Sequence, residues 1–160
     1  MKYFVTLFIC LFLTLNAYAE ETPKEFKSLQ DRPDAVHQLR ELKNCTITYY
    51  NIGVYANVGG SIVELIKGDP ETREKMRMIF NRADAQHKVL QKKLDTLVEY
   101  LLKGGYHPLE ISIVLDDAQN TMLGIITQMM TDIMEDPSRT NNMLLIMMEG
   151  TNKCDEEFLN

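Results

Sequence analysis

The stretch NCTITYYNIGVYANVGGSIVEL, residues 44–65, decides the fold because its residues suit either two short strands or one helix. β-Branched and aromatic residues crowd its first half, and glycines interrupt its second half. The alternation expected of a strand is weak, whereas helical spacings of 4 and 3 residues run through the whole stretch. The positions that share this helical face are Ala35, Leu39, Leu42, Thr46, Tyr49, Gly53, Ala56, Gly60 and Val63. We therefore predict one helix over residues 34–67, and the alternative is a helix broken near Gly59 and Gly60.

Two further long helices are predicted downstream, over residues 70–103 and from Pro108 to Glu135. Asp69 is a suitable N-cap before Pro70, and Lys103 followed by glycine is typical of a helix end. Each segment carries an apolar seam with spacings of 4 and 3 residues. The first seam comprises Met76, Phe80, Ala83, His87, Leu90, Leu94, Leu97 and Leu101, and the second Ile111, Leu115, Ala118, Met122, Ile125, Met129 and Ile133.

A short fourth helix is predicted to begin at Pro137 and to end before Gly150. It contains the apolar run MLLIMM, residues 143–148, which indicates burial on most sides. Short connections between long helices make neighbouring helices antiparallel. The expected fold is therefore all-α: an up-down antiparallel four-helix bundle with a short fourth helix.

The N-terminal segment MKYFVTLFICLFLTLNAYA has one charge, an apolar run and an Ala-x-Ala site, which is typical of a secretory signal peptide. The apolar run is too short to cross a membrane as a helix. We expect residues 1–19 to be the signal peptide, 20–33 a flexible lead-in, and 34–160 the bundle domain. The mature chain is then exported, periplasmic or extracellular, with no membrane span after signal cleavage.

Two cysteines remain after cleavage, Cys45 and Cys154. An even pair in an oxidising compartment favours a disulfide. With a rise of about 1.5 Å per residue, the two cysteines reach similar heights on the first and last helices. The sequence therefore predicts one disulfide between them, and two unpaired thiols are the alternative.

The chain offers little catalytic chemistry, and we expect no enzyme. Its serines lack an elbow motif, and it has no glycine-rich phosphate loop. His37 and His87 follow aspartates in an Asp-x-x-His pattern, but they fall at different heights and cannot share a metal ion. His87 lies on the apolar seam, which favours a hydrogen-bonded core histidine. His37 and His107 fall at one end, but no third ligand accompanies them.

Methionine is over-represented, with ten residues in the chain. Met130 and Met134 are four residues apart, as are Met143 and Met147, so each pair shares a helix face. Thioethers select Cu(I), so these four residues are candidate ligands of a copper site. The competing interpretation is core packing, for which methionine is well suited.

The main expectation for function is stoichiometric binding to another protein, of the immunity, inhibitor, chaperone or adaptor type. The net charge is −6, and loss of Lys2 with the signal peptide makes it −7, which argues against nucleic acid and anionic membranes. Such a charge permits a basic partner. Asp116 and Asp117, with the exposed face of the third helix, are the candidate partner-binding residues. A periplasmic Cu(I)-binding protein is the alternative, and no other cofactor is expected.

Overall fold

The computed structural model describes residues 25–136 and 149–159, and all the regular elements in these ranges are helical. A 3-10 turn at Leu29–Asp31 precedes three long helices: α1 (Pro33–Leu65), α2 (Pro70–Lys103) and α3 (Pro108–Glu135). The C-terminal segment (residues 149–159) is α-helical over 149–154 and π-helical over Asp155–Leu159. The predicted all-α fold class is confirmed for these residues.

The deciding stretch is helical throughout, so the predicted single helix is confirmed, and both the strand interpretation and the alternative of a break near Gly59 and Gly60 are excluded. α1 begins one residue before the predicted start and ends two residues before the predicted end. Its final turn closes when the Gly68 amide donates to the Val63 carbonyl over 2.8 Å. Lys67, with φ of 50°, takes the left-handed conformation there.

The glycines of α1 lie against α2. A Cβ atom at Gly53 would lie 3.7 Å from Ala83 Cβ, and one at Gly60 would lie 3.6 Å from Met76 Cβ. These contacts pair decreasing residue numbers on α1 with increasing numbers on α2, so the two helices are antiparallel. The close approach that small residues permit offsets the low helix propensity of glycine, about 1 kcal/mol per residue.

The bounds of α2 and α3 match the prediction because both helices have well-defined N-caps. Asp69 accepts hydrogen bonds from the Glu71 and Thr72 amides at the start of α2. At the start of α3, the Leu109 amide donates to Nδ1 of His107 over 3.2 Å. In each case the next residue is a proline, whose missing N–H needs no partner in the first turn.

The buried core follows the predicted seams closely in α1 and α2 but only partly in α3. Ile111 and Ala118 of α3 are buried, whereas Ile125, predicted to continue the same seam, is 46% exposed. No described side chain of α3 beyond Ala118 is buried. Periodicity identifies the apolar face of a helix, but the length of that face that becomes buried depends on how far its neighbour extends. The buried apolar cluster comprises Leu29, Ala35, Leu39, Leu42, Cys45, Tyr49, Ala83, Leu90, Leu94, Leu101, Ile111, Cys154 and Phe158.

Residues 25–32, assigned from sequence to the lead-in, contribute Leu29 to the core, where it is 2% exposed. The Leu29 amide donates to the Glu110 carboxylate at the start of α3, and the Ser28 hydroxyl donates to the same group over 3.2 Å. Lys27 forms an isolated bridge with Tyr106. This segment is therefore attached to the turn between α2 and α3.

Most of the predicted fourth helix, with its run MLLIMM, lies outside the described residues. Its predicted end before Gly150 is wrong, because residues 149–154 are helical. A Cβ atom at Gly150 would lie 3.8 Å from Thr48 Cγ2 of α1. Gly150 therefore lies where the C-terminal segment packs against α1, and the helix continues through it.

Candidate functional site

Cys45 and Cys154 lie together in the core. Their Sγ atoms are 2.05 Å apart and their Cα atoms 5.6 Å apart, which is disulfide-bonding geometry. Both residues are buried, at 2% and 3% exposure. The predicted approach of Cys45 and Cys154 is confirmed, and it fixes the C-terminal segment against α1.

Polar contacts on both sides of Cys154 attach the C-terminal segment further. The Tyr49 hydroxyl donates to Asp155, and Arg82 of α2 donates to the same carboxylate over 3.1 Å. Lys153 donates to Glu41 over 2.6 Å. Burial, together with the hydrogen bond to Asp155, raises the pKa of Tyr49 well above its usual value. The hydrogen bond to Glu41 likewise raises the pKa of Lys153.

The two candidate partner-binding aspartates have different surroundings on the exposed face of α3. Asp117 forms an ion pair with Arg40 of α1, with Nη2 and Oδ2 3.1 Å apart. Asp116 accepts a longer hydrogen bond of 3.4 Å from Ser112, and no described cation lies within ion-pair distance of it. Asp117 therefore takes part in packing α3 on α1, whereas the charge of Asp116 is available to another molecule.

Asp116 lies within a row of outward-facing residues, which we call the α3 stripe. Its members recur at spacings of 4 and 3, so they lie along one face of the helix. Five are apolar, with exposures from 38% to 75%. The α3 stripe consists of Leu109, Ile113, Asp116, Asn120, Leu123, Thr127, Met130 and Met134.

The α3 stripe was missed in the sequence analysis although its signal is present. The seam that begins at Ile111 is two residues out of phase with the stripe that begins at Leu109, so the two lie on opposite faces. A helix of a bundle needs only one apolar face for its core. A second apolar periodicity in the sequence of α3 is therefore the signal that identifies the stripe.

His87 and His107 have separate structural partners. Nδ1 of His87 lies 3.1 Å from the Thr46 carbonyl oxygen, as expected of a hydrogen-bonded histidine on the seam. His107 caps α3 and lies with its ring centroid 5.0 Å from that of Phe26. Among the residues that the structure describes, no group of three or more His, Cys, Asp or Glu side chains could hold a metal ion.

The methionines proposed as copper ligands are only partly within the described residues. Met130 and Met134 lie on the α3 stripe, 38% and 75% exposed. The packing interpretation places these thioethers in the core, and the exposure of both side chains contradicts it for Met130 and Met134. Met143 and Met147 lie outside the described residues.

Within residues 25–136 and 149–159, no helix combines the length and apolar character that a membrane span requires. Comparison of the chain with protein-family models, with curated proteins and with solved structures found no match.

Proposed function

We propose that this chain is an exported protein that acts by stoichiometric binding to another protein through the α3 stripe. The observation that carries the proposal is the exposure of an apolar row on a helix whose opposite face supplies the core residues Ile111 and Ala118. Apolar residues scattered singly on a surface need no explanation, but a row along one helix is typical of an interaction face. An export signal in residues 1–19 supports a place of action outside the cytoplasm.

The spacing of the α3 stripe suits a helical partner. Apolar residues at alternating spacings of 4 and 3 form the seam through which two helices pack side by side. Ile113 and Leu123, 57% and 47% exposed, lie on either side of Asp116 along the stripe. The partner would place apolar residues against them and a Lys or Arg against Asp116. An exposed ion pair of this kind contributes about 0.2–1 kcal/mol, so the apolar contacts supply most of the affinity.

The test compares partner recovery by the native mature chain and by two charge-introducing variants. Ile113→Asp places a carboxylate in the α3 stripe and should lower partner affinity at least about tenfold, as expected for loss of a central apolar contact. Leu102→Asp is the matched control, because Leu102 is 44% exposed but lies on α2. Partners would be recovered from periplasmic and culture fractions and their affinity measured by surface plasmon resonance.

Asp116→Lys tests the charge separately and should mainly slow association, with a smaller dependence of the on-rate on salt. A partner that binds the native chain, Ile113→Asp and Leu102→Asp equally would show that the α3 stripe is not the interface. Turnover of a substrate in an unbiased activity screen, with no partner recovered, would contradict the binding function itself.

A second candidate function is Cu(I) binding, which the exposure of Met130 and Met134 favours. These two thioethers are four residues apart on α3, and Met143 and Met147 would complete the set. Titration with Cu(I) against a competing chelator should then show stoichiometric uptake. Replacing all four methionines by Leu keeps their apolar volume and should abolish uptake. If the native chain takes up no Cu(I), this candidate is excluded.

We also propose that the whole domain is an up-down antiparallel four-helix bundle. The antiparallel contacts of α1 with α2 support this arrangement. So do the contacts of α3 with residues near the start of α1, which include Ser28 with Glu110 and Arg40 with Asp117. An NMR structure of the mature chain that assigns residues 137–148 would test the position of the fourth helix. Sequencing of the exported protein should give Glu20 as its first residue.

A further inference from the structure

A second surface, which we call the Phe158 groove, lies where α1, α2 and the C-terminal segment meet. It is open to solvent along one side and has a volume of about 730 Å³, within the range of small-molecule sites of roughly 300–1,000 Å³. Leu42 and Phe158, 5% and 9% exposed, are its most buried lining residues. Val89, Leu97 and Tyr100 of α2 line it along its length. The groove is therefore an elongated apolar surface that the C-terminal segment completes.

The charge of the Phe158 groove is opposite to that of the chain. The whole chain has a net charge of −6, yet the described residues that line the groove include Lys92 and Lys93 and no carboxylate. Nζ of Lys92 has no hydrogen-bond or ion-pair partner among the described residues. Nζ of Lys93 donates to the Phe158 carbonyl, and its charge is not paired with a described carboxylate.

Other lysines of α2 show that this lack of pairing is local. Lys88 pairs with Asp84 over 2.6 Å, one turn before Lys92, and Lys103 pairs with Glu99 over 2.7 Å at the helix end. Lys92 and Lys93 lie between these two paired lysines and place positive charge beside an apolar surface. An anion with an apolar tail complements both features.

We propose that the Phe158 groove binds a single-chain alkyl anion, of which a fatty acid is the simplest example. The alkyl chain would lie along α2 from Lys92 towards Tyr100, a length of about 12 Å at 1.5 Å per residue. The carboxylate would lie at Lys92, where a water-exposed ammonium group is available. This activity is independent of the proposed protein partner, because the groove involves α1 and α2 and not the α3 stripe.

The position of Phe158 links the groove to the cysteine pair. Phe158 is four residues beyond Cys154, which attaches the C-terminal segment to α1 at Cys45. Reduction of the pair would remove this covalent attachment and allow Phe158 to leave the groove. Ligand affinity should therefore be lower after reduction.

The experiment is calorimetric titration of the mature protein with dodecanoate below its micelle concentration. Saturable binding of one dodecanoate per chain is expected, whereas dodecyltrimethylammonium should bind much more weakly. Each methylene removed from the carboxylate should weaken binding about fourfold, the factor that corresponds to 0.8 kcal/mol. Equal binding of the cationic and anionic ligands, or no saturable binding, would overturn the proposal.

Variants identify the groove as the site. Lys92→Met keeps the apolar stem and should weaken dodecanoate binding about two- to fivefold, as expected for an exposed ion pair. Lys88→Met is the control on the same helix and should leave binding unchanged. Val89→Asp introduces a carboxylate at a 45% exposed position, so it should fold normally and lose binding. Native affinity in both Lys92→Met and Val89→Asp would overturn the assignment.

A vesicle-binding experiment distinguishes binding of a free ligand from binding to a membrane surface. Anionic phospholipid vesicles should neither sediment the protein nor displace dodecanoate, because a groove between helices admits a single chain and the overall charge of the protein is negative. Co-sedimentation with these vesicles, lost in Lys92→Met, would show a membrane-binding surface and overturn the proposal of a free ligand.

Discussion

Removal of the cysteine pair should destabilise the fold by an amount that follows from the length of chain it closes. Cys45 and Cys154 are separated by 109 residues. In the chain-entropy model, a loop of this length makes a disulfide contribute about 4.7 kcal/mol, and measured values are typically 2–4 kcal/mol. For a domain of this size, 1 kcal/mol corresponds to roughly 3 °C in Tm. We therefore expect Cys45→Ala/Cys154→Ala to melt about 6–12 °C below the oxidised native chain.

The assay is thermal unfolding followed by far-ultraviolet circular dichroism, together with thiol titration of the unreduced protein. The native chain treated with a reductant is the control for lost side-chain volume, because it keeps both sulfur atoms. The double variant and the reduced native chain should melt within a few degrees of each other. Two titratable thiols in the unreduced protein, or a double variant as stable as the oxidised chain, would refute the reasoning.

Three further predictions concern the helices. Tyr49→Phe should make the stability of the fold less sensitive to alkaline pH. Because the pKa of Tyr49 is raised in the folded state, its stabilising contribution is present below pH 10.0 and is lost as the pH rises above that value. Measurement of Tm across this pH range, for the native chain and the variant, would test this. Gly124→Ala should raise the free energy of unfolding by about 0.8–1 kcal/mol in urea titrations, because a Cβ there meets no atom within 4 Å. Leu90→Ala should lower it by about 2–5 kcal/mol in the same assay, because Leu90 is 0% exposed, and a cost below 1 kcal/mol would contradict its place in the core.

The sequence by itself determined the long helices, because their signals are local. Asp69 caps α2 through the amides that follow it, and Pro70 fits the first turn whatever the rest of the chain does. The glycine face of α1 was also predictable, since helical periodicity continued through Gly53 and Gly60 where a strand pattern did not. The approach of Cys45 to Cys154 followed from helix lengths and short turns alone.

The tertiary structure alone decided which faces are covered and which remain available for binding. Ile125 continues the apolar seam of α3 in the sequence, yet its side chain is exposed. Burial requires a neighbouring surface to pack against, which helical periodicity does not provide. Asp116 and Asp117 are adjacent and chemically identical, but only Asp117 meets Arg40, since that pairing depends on how α3 lies on α1. Gly150 would end an isolated helix, but here the helix continues past it against Thr48. The Phe158 groove likewise exists because residues distant in sequence pack together, which local physical chemistry does not encode.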